Sequence, residues 1–429
     1  MKSRYISLLT IALRPGDLRV LIPFWVWSKS IGSLSKLFAE RYACSEDQVF
    51  LFGAARMGLF SLLKSIRTSP NDEVVVAGYT CMVVPNAVKF AGFKIKYADI
   101  NLETLTIEPE RLWPLINKYT KAVIVPHNFG IPAEFISMIR DRFPQILIVE
   151  DCAHSSGSAT KVGDLIGTLG DASFFSFEYS KPFTTGMGGA LIVRKSSVAK
   201  SMHAEYEKLP YYPLIDRLRI RITVIALFVT SMPYFSKCRR AVIGLLRRAH
   251  ILYSSPAAET TGEIPKHYPV KMDPVAASLG YLQFRRIQEI EVIRKKLAEK
   301  YFQLLSGIDG LRLYHSTLYD MVRFPVLVVS NDAESVALKI RRRVSLETGV
   351  ETGDWFNDVV HPKGGYRFDY NQGQCPVGEY VSARMFNLPM NSMVLPDDDQ
   401  LQHIRTIILQ ELSAQQVSGQ NSGMAGINR

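Results

Sequence analysis

Between residues 74 and 193 the chain alternates short apolar runs with polar stretches of helical period, and this rhythm constrains the fold more than any other feature. The runs are Val74–Ala77, Lys94–Ala98, Ala122–Val125, Ile146–Val149, Ser173–Phe177 and Ala190–Val193. They are too short for helices and are bounded by turn residues, so they predict strands. Between them, Val83–Phe90 and Pro132–Arg142 predict helices. Strand and helix in alternation predict a mostly parallel sheet covered by helices. Ligands of such sheets sit beyond the carboxyl ends of the strands, so the residues just after each run are the candidates for chemistry.

A chain of 429 residues exceeds the ~100–200 of one domain and predicts two. Pro274 to Leu305 reads as one long amphipathic helix, followed by a mixed αβ pattern to Leu412 that includes a strand at Val322–Val329. The Ser-, Gln-, Gly- and Asn-rich residues 413–429 predict a disordered tail. The five cysteines (Cys44, Cys81, Cys152, Cys238, Cys375) are odd in number and form no C-x-x-C pair. That pattern predicts no metal site and no disulfide scaffold, and points to a reducing compartment. The apolar stretch from Tyr5 to Leu13 is broken by Ser7 and Thr10 and followed by Arg14-Pro15, so no secretory signal is expected. No apolar run reaches the ~18 residues of a membrane-spanning helix.

From Arg217 to Ala258 there is no Asp or Glu, but there are eight basic residues: Arg217, Arg219, Arg221, Lys237, Arg239, Arg240, Arg247 and Arg248. They flank the apolar run Ile222–Phe235, which Pro233 interrupts. As a helix this run spans ~21 Å, short of the ~30 Å hydrocarbon core. The pattern predicts a segment lying at a membrane surface, cations on lipid phosphates. Its alternative is a core helical hairpin whose basic flanks are solvated or hold a phosphorylated substrate. The net charge of +11 would also suit a nucleic acid, but the basic residues flank apolar ones rather than alternating with aromatics, and no nucleic-acid partner is expected.

Four segments carry candidate chemistry. ILIVED (146–151) is an apolar strand ending in Asp151, an acid that helix capping alone could explain. SFFSFEYSKPFTTGMGG (173–189) is a buried strand with Ser176 near its end, then Lys181, then glycines that let the backbone approach something closely. FGAARMGL (52–59) opens a helix with small residues, as suits either phosphate binding or tight packing. VVVAGYTC (74–81) is a strand leading into a loop.

In this order and spacing the chain resembles the DegT/DnrJ/StrS-type sugar aminotransferases, which are fold-type I pyridoxal-phosphate enzymes. The likeness covers about residues 35–200 and, more loosely, 270–410. NDEVVVAGYT (71–80), ADINLETLTI (98–107), VEDCAH (149–154), SFEYSK (176–181), TTGMGG (184–189) and CPVGEYVSARMFNLPMN (375–391) carry it. The resemblance implies an aspartate-aminotransferase-like α/β fold. Its large domain would be 1–270, with the basic apolar insertion at about 205–262, and a smaller α+β domain would follow at 271–412. It implies pyridoxal 5'-phosphate as cofactor. Lys181 matches the lysine that carries the cofactor and shuttles protons, and Asp151 matches the carboxylate facing the pyridine nitrogen. His154 matches the residue near the ring oxygen. Ser176 and the backbone N–H groups of Arg56 and Met57 match the phosphate contacts, and the Arg56 side chain could add charge there or point to solvent. The family's ring-stacking aromatic is Cys81 here, with Tyr79 as a possible substitute. Met187 stands where many members have Glu, and Pro269-Val-Lys271-Met272 where they have Asn-x-Arg-Met. Arg323, Trp355 and His361 are substrate-side candidates that could equally be core or surface residues.

The function so implied is transfer of an amino group, from L-glutamate, to a nucleotide- or lipid-linked keto-sugar for cell-surface polysaccharide such as lipopolysaccharide. The resemblance further implies a homodimer. The expected location is cytoplasmic, at the inner face of the membrane where 217–258 contacts it. The alternatives are a non-catalytic membrane scaffold and a sister dehydratase; the latter carries His in place of the lysine, so Lys181 opposes it.

Overall fold

The computed structural model describes residues 5–9, 12–21, 30–232, 239–253, 257–330, 332–363 and 369–424. Pro233, Lys237 and Cys238, and residues 425–429 of the tail, lie outside the described residues. The strands in chain order are β1 (Val49–Phe52), β2 (Glu73–Ala77), β3 (Thr80–Cys81), β4 (Lys94–Ala98), β5 (Thr120–Pro126), β6 (Leu147–Asp151), β7 (Ala172–Ser176) and β8 (Gly189–Val193). They are followed by β9 (Leu311–Leu313), β10 (Arg323–Val328), β11 (Val360–His361) and β12 (Met385–Pro389).

Seven strands form one sheet in the order β1-β8-β7-β6-β5-β2-β4. β4, β2, β5, β6 and β7 run parallel, and β8 is antiparallel to both β7 and β1. The side chains of β2 and β8 are buried throughout, as sheets covered on both faces require. The chain leaves β2 for β4 on one side and returns to β5 on the other. The β2/β5 boundary is therefore a switch point, where a crevice opens at the carboxyl ends of the strands. Each predicted run falls on a strand, Lys94–Ala98 with the same bounds and the others within a residue or two. β1 was not anticipated: it is the four-residue VFLF, fully buried, entered through a capping box from Ser45 to Gln48.

β10 pairs with β9 and β12 in a second, antiparallel sheet. One apolar cluster runs from Val75, Val123 and Ile148 of the large sheet to Phe324, Val326, Ile340 and Ile404. Ile6, placed by sequence with the large domain, forms an isolated bridge to the segment at Val350 instead. Ile6 N–H donates to Gly349 O (2.9 Å), and Glu351 N–H donates to Ile6 O (2.9 Å). The expected long helix is two helices, Pro274–Phe284 and Ile287–Leu305. It breaks at Arg286, whose guanidinium turns to Asp17 and the Ala12 carbonyl. Residues 413–424, expected to be disordered, continue the helix Asp398–Met424; Ala and Gln are good helix formers.

In the insertion, the helix Leu214–Ser231 buries Ile220, Val224, Leu227 and Phe228, and the last three pack with Leu13, Val20, Leu21 and Leu279. Its opposite face exposes Ile215, Leu218, Ile222 and Ile225, an i, i+3, i+7, i+10 stripe. Arg217 and Arg221 turn to Asp273, at 2.5 and 3.2 Å. Among the described residues no helix is long and apolar enough to cross a membrane.

The ion pair of Arg294 and Asp320 is fully buried, with 2.7 Å hydrogen bonds from Nε and Nη2. Removing one partner strands the other charge in a low dielectric. Arg294→Met is expected to lower stability by about 3–5 kcal/mol, measured by urea unfolding.

Candidate functional site

Successive strand ends deliver successive side chains to one cavity of ≈330 Å³. β6 ends on Asp151, and the turn after it places His154; β7 ends on Ser176; the loop from β7 to β8 carries Lys181. That loop is held at several points. Phe177 N–H donates to Gly188 O (3.0 Å), Gln283 Nε2 to Thr184 O (2.7 Å) and Arg294 Nη1 to Pro182 O (2.8 Å). The glycines of TTGMGG have distinct reasons. Gly186 has φ +84°, and a Cβ on Gly189 would overlap the backbone nitrogen of Ala55, where the helix Ala55–Ile66 begins. The helix start is thereby pressed against the sheet beside the cavity, where Arg56 lines the wall.

Burial lowers the pKa of Lys181, partly offset by Glu178, Cys81 and Asp151. Burial raises that of Asp151, which accepts the Ala153 N–H at 2.9 Å and is drawn back by Lys181 and His127. A carboxylate so placed is suited to a cationic partner in the cavity. His154 is pushed well below the usual imidazole range by burial and by the Lys181 and Arg323 cations, so it is neutral. Its Nδ1 accepts the Phe129 N–H (3.1 Å), which puts the remaining proton on Nε2.

The second unit supplies the opposite wall. Trp355 stacks on His154 with centroids 5.0 Å apart and planes at 4°. Lys181 Nζ lies 4.5 Å from the Trp355 centroid and the Arg323 guanidinium 3.8 Å from it. Asn387 fixes this tryptophan through both of its backbone polar groups, at 2.8 and 2.9 Å. Arg323 is 5% exposed, and burial takes its pKa down to about 10. It backs Trp355 and does not line the cavity. His361 enters the wall because β11 pairs in parallel with β3, opposite Cys81. These two-residue strands have no sequence period to reveal them.

Two expected residues lie elsewhere. Tyr79 is fully buried beneath the site, its hydroxyl accepting the Phe356 N–H at 2.9 Å, so it does not face the cavity. Met57 is buried off the wall, and its N–H is bonded to Ala54 O (3.0 Å). The Arg56 side chain does not point to solvent: its Nε is 2.5 Å from Glu259 Oε1. Met187 sits in an apolar cluster with Tyr212 and Ile220, under the insertion. Lys271 pairs with Glu207 at 2.9 Å.

His127, Glu150 and Cys152 approach one another within 4.8 Å. Glu150 already accepts the N–H groups of Gly167, Leu169 and Gly170 and bonds His127 Nε2, while His127 Nδ1 accepts the Ala133 N–H. His127 and Glu150 form a satisfied hydrogen-bond network that braces β6.

A switch-point cavity with a lysine after one strand and a carboxylate at the end of its neighbour is the architecture of fold-type I pyridoxal-phosphate enzymes. The chain belongs to the DegT/DnrJ/EryC1/StrS aminotransferase family, whose model matches residues 32–210 and 243–408. It is a pyridoxal-phosphate-dependent aminotransferase, and the stretch left unmatched between the two parts, 211–242, contains the whole of the helix Leu214–Ser231. It is 25% identical over 365 residues to the spore coat polysaccharide biosynthesis protein SpsC of Bacillus subtilis, covering 82% of each chain. It is 29% identical over 176 residues to GDP-perosamine synthase of Escherichia coli O157:H7, covering 40% of this chain and 48% of that one. Among solved structures it resembles Helicobacter pylori PseC, an aminotransferase of pseudoaminic acid biosynthesis (TM-score 0.72, 16% identity, 96% of this chain and 100% of that one). It also resembles the aminotransferase TlmJ of Streptoalloteichus hindustanus (TM-score 0.70, 21% identity, 96% and 99%).

Burial holds His361 down at about 4, with Asp354 opposing and Arg323 and Lys181 reinforcing the shift. Below pH ~6.5 the unfolded chain takes up a proton that the folded imidazole refuses, so stability is lost as pH falls from there towards 4. His361→Gln is expected to flatten that loss by at most about 1.4 kcal/mol per pH unit, read from urea unfolding at pH 7 and pH 5.

Proposed function

We propose that this aminotransferase takes an amino group from L-glutamate and places it on a keto-sugar, nucleotide- or lipid-linked, for a cell-surface polysaccharide such as lipopolysaccharide. The observation that carries the reading is the meeting of Lys181, Asp151, His154 and Ser176 in one cavity at the switch point of the sheet. When bound, pyridoxal phosphate supplies a carbonyl that exchanges amino groups and a ring that draws electrons from the reacting carbon.

The chain's own residues would do the rest. Lys181, its pKa lowered by burial, offers more free amine at neutral pH than an ordinary lysine and would hold the cofactor and move the proton at Nζ. Asp151 would keep the ring nitrogen protonated, and that cation would in turn favour its carboxylate form. His154 would donate from Nε2 to the ring oxygen. Ser176 Oγ and the backbone at the start of the Ala55–Ile66 helix would hold the phosphate. Cys81 stands at the position of the family's ring-stacking residue, and Trp355 and His361 would face the sugar.

The same reading includes a homodimer working in the cytoplasm at the inner face of the membrane. Support for the membrane contact is the exposed stripe of Ile215, Leu218, Ile222 and Ile225 on an insertion without acids from Arg217 to Ala258. Because Val224, Leu227 and Phe228 belong to the core, the test changes the stripe and not the helix.

The purified protein should show the visible absorbance of a lysine-bound cofactor, bleached by L-glutamate. Lys181→Ala should lose that band, and an unchanged spectrum in the variant would overturn Lys181 as the carrier. The double variant Ile222→Asp, Ile225→Asp is expected to keep the band but lose sedimentation with phosphatidylglycerol vesicles. Equal sedimentation of both proteins would remove the membrane contact.

A further inference from the structure

Charge on the cavity wall is inconsistent with the anion the cavity is read to hold. Among the described residues that line it, the cations are Arg56 and Lys181, and the carboxylates are Asp151, Glu178 and Glu259. Two cations therefore face three carboxylates where a phosphate is to bind. Lys181 and Asp151 belong to the ring end. At the helix start, the arginine that would favour phosphate, Arg56, is already paired with Glu259.

Glu259 is an unusual carboxylate. It is 3% exposed, yet only Oε1 is bonded; Oε2 is buried without a hydrogen-bond partner. Leaving a buried charged acceptor half-satisfied is costly, so this placement is not one that packing alone would favour. The residue sits on a five-residue helix, Ala257–Thr261, at the end of the insertion. From outside the segment, Asn86 Nδ2 holds it, donating to Glu259 O at 2.7 Å. Arg56, by contrast, stands at the second position of a twelve-residue helix pressed against β8. In an exchange of partners, the carboxylate can move and the arginine stays.

We propose that Glu259 is a displaceable internal counter-ion. It neutralises Arg56 in the ligand-free protein and yields it to the phosphate group of an incoming ligand, carrying the Ala257–Thr261 segment off the cavity wall. Glu259 thereby sets how tightly phosphate-bearing ligands bind, and it ties loading of the cavity to the position of the insertion. The inference rests on the cofactor reading above for which end of the cavity takes phosphate.

The test compares the full-length protein with Glu259→Gln, which keeps size and hydrogen bonding but removes the charge. Dissociation constants of pyridoxal phosphate and of pyridoxal, which lacks the phosphate, are measured by quenching of protein fluorescence. The thermal shift given by inorganic phosphate is measured alongside. Glu259→Gln is expected to bind pyridoxal phosphate about tenfold more tightly, equivalent to ~1.4 kcal/mol, with pyridoxal unchanged and a larger phosphate shift. Unchanged or weaker binding of pyridoxal phosphate by the variant would overturn the proposal and make Glu259 a fixed orienter of Arg56. If neither aldehyde binds either protein while phosphate still stabilises the variant more, the cofactor reading falls and the counter-ion role stands. If the phosphate shift is also equal, both fall.

Discussion

The buried pair of Arg294 and Asp320 is the constraint on which the site depends. Arg294 comes from the helix Ile287–Leu305, and Asp320 lies just before β10. One guanidinium nitrogen goes past the carboxylate to Pro182 O, next to Lys181. The carboxylate in turn accepts the Ser156 N–H at 3.2 Å, two residues after His154, and Asp320 N–H donates to Ser158 Oγ at 2.7 Å. The lysine loop, the histidine turn and the second sheet are thus registered through a single ion pair shielded from water. Such pairs add little net stability when made and cost much when broken, so the gain here is in position. A proton-shuttling lysine needs that precision more than it needs binding energy.

The insertion is best understood together with its neighbours in the core. An acid at position 187 would be buried under Ile220 and Tyr212 without water; methionine there fills the same space as an apolar side chain. Arg217 and Arg221 find Asp273, the N-cap of the Pro274–Phe284 helix, so part of the basic run is structural. The helix Leu214–Ser231 has a buried face that belongs to the core and an exposed apolar one. What an acid-free count could not resolve was which cations are already engaged.

The fold was legible where periodicity is strong. The apolar runs marked six strands of the large sheet, and strand ends pointed to Asp151, Ser176 and Lys181. β1 escaped because it is only four residues long and its last, Phe52, was read with the small residues that open the next helix. β3 and β11 were out of reach for a physical reason: two-residue strands are defined by partners far apart in sequence. The same applies to Tyr79. Its ring was expected to stand in for the family's stacking aromatic, but Tyr79 is buried against Phe356, which the second unit brings to it. Glu259 gave no signal either, since an acid just beyond a basic stretch looks like ordinary charge balance until it is found buried against Arg56.

The electrostatics of the cavity show how its charges depend on what fills it. Burial pushes Lys181 towards its neutral amine and Asp151 towards its neutral acid, so each is moved away from its charged form. A ligand with a cationic ring nitrogen beside Asp151 would reverse the second shift while leaving the first, giving a free amine and a carboxylate in the same small volume. His154 cannot interfere, because burial above all, with the Arg323 cation adding to it, keeps it neutral. Arg323 thus acts from behind Trp355 in two ways, packing its guanidinium on the indole and lending positive potential to a site it does not touch. A neutral residue of the same shape at 323 would keep the stacking partner but weaken the field that suppresses imidazolium. The second unit therefore helps set the protonation of the site, as well as closing its wall.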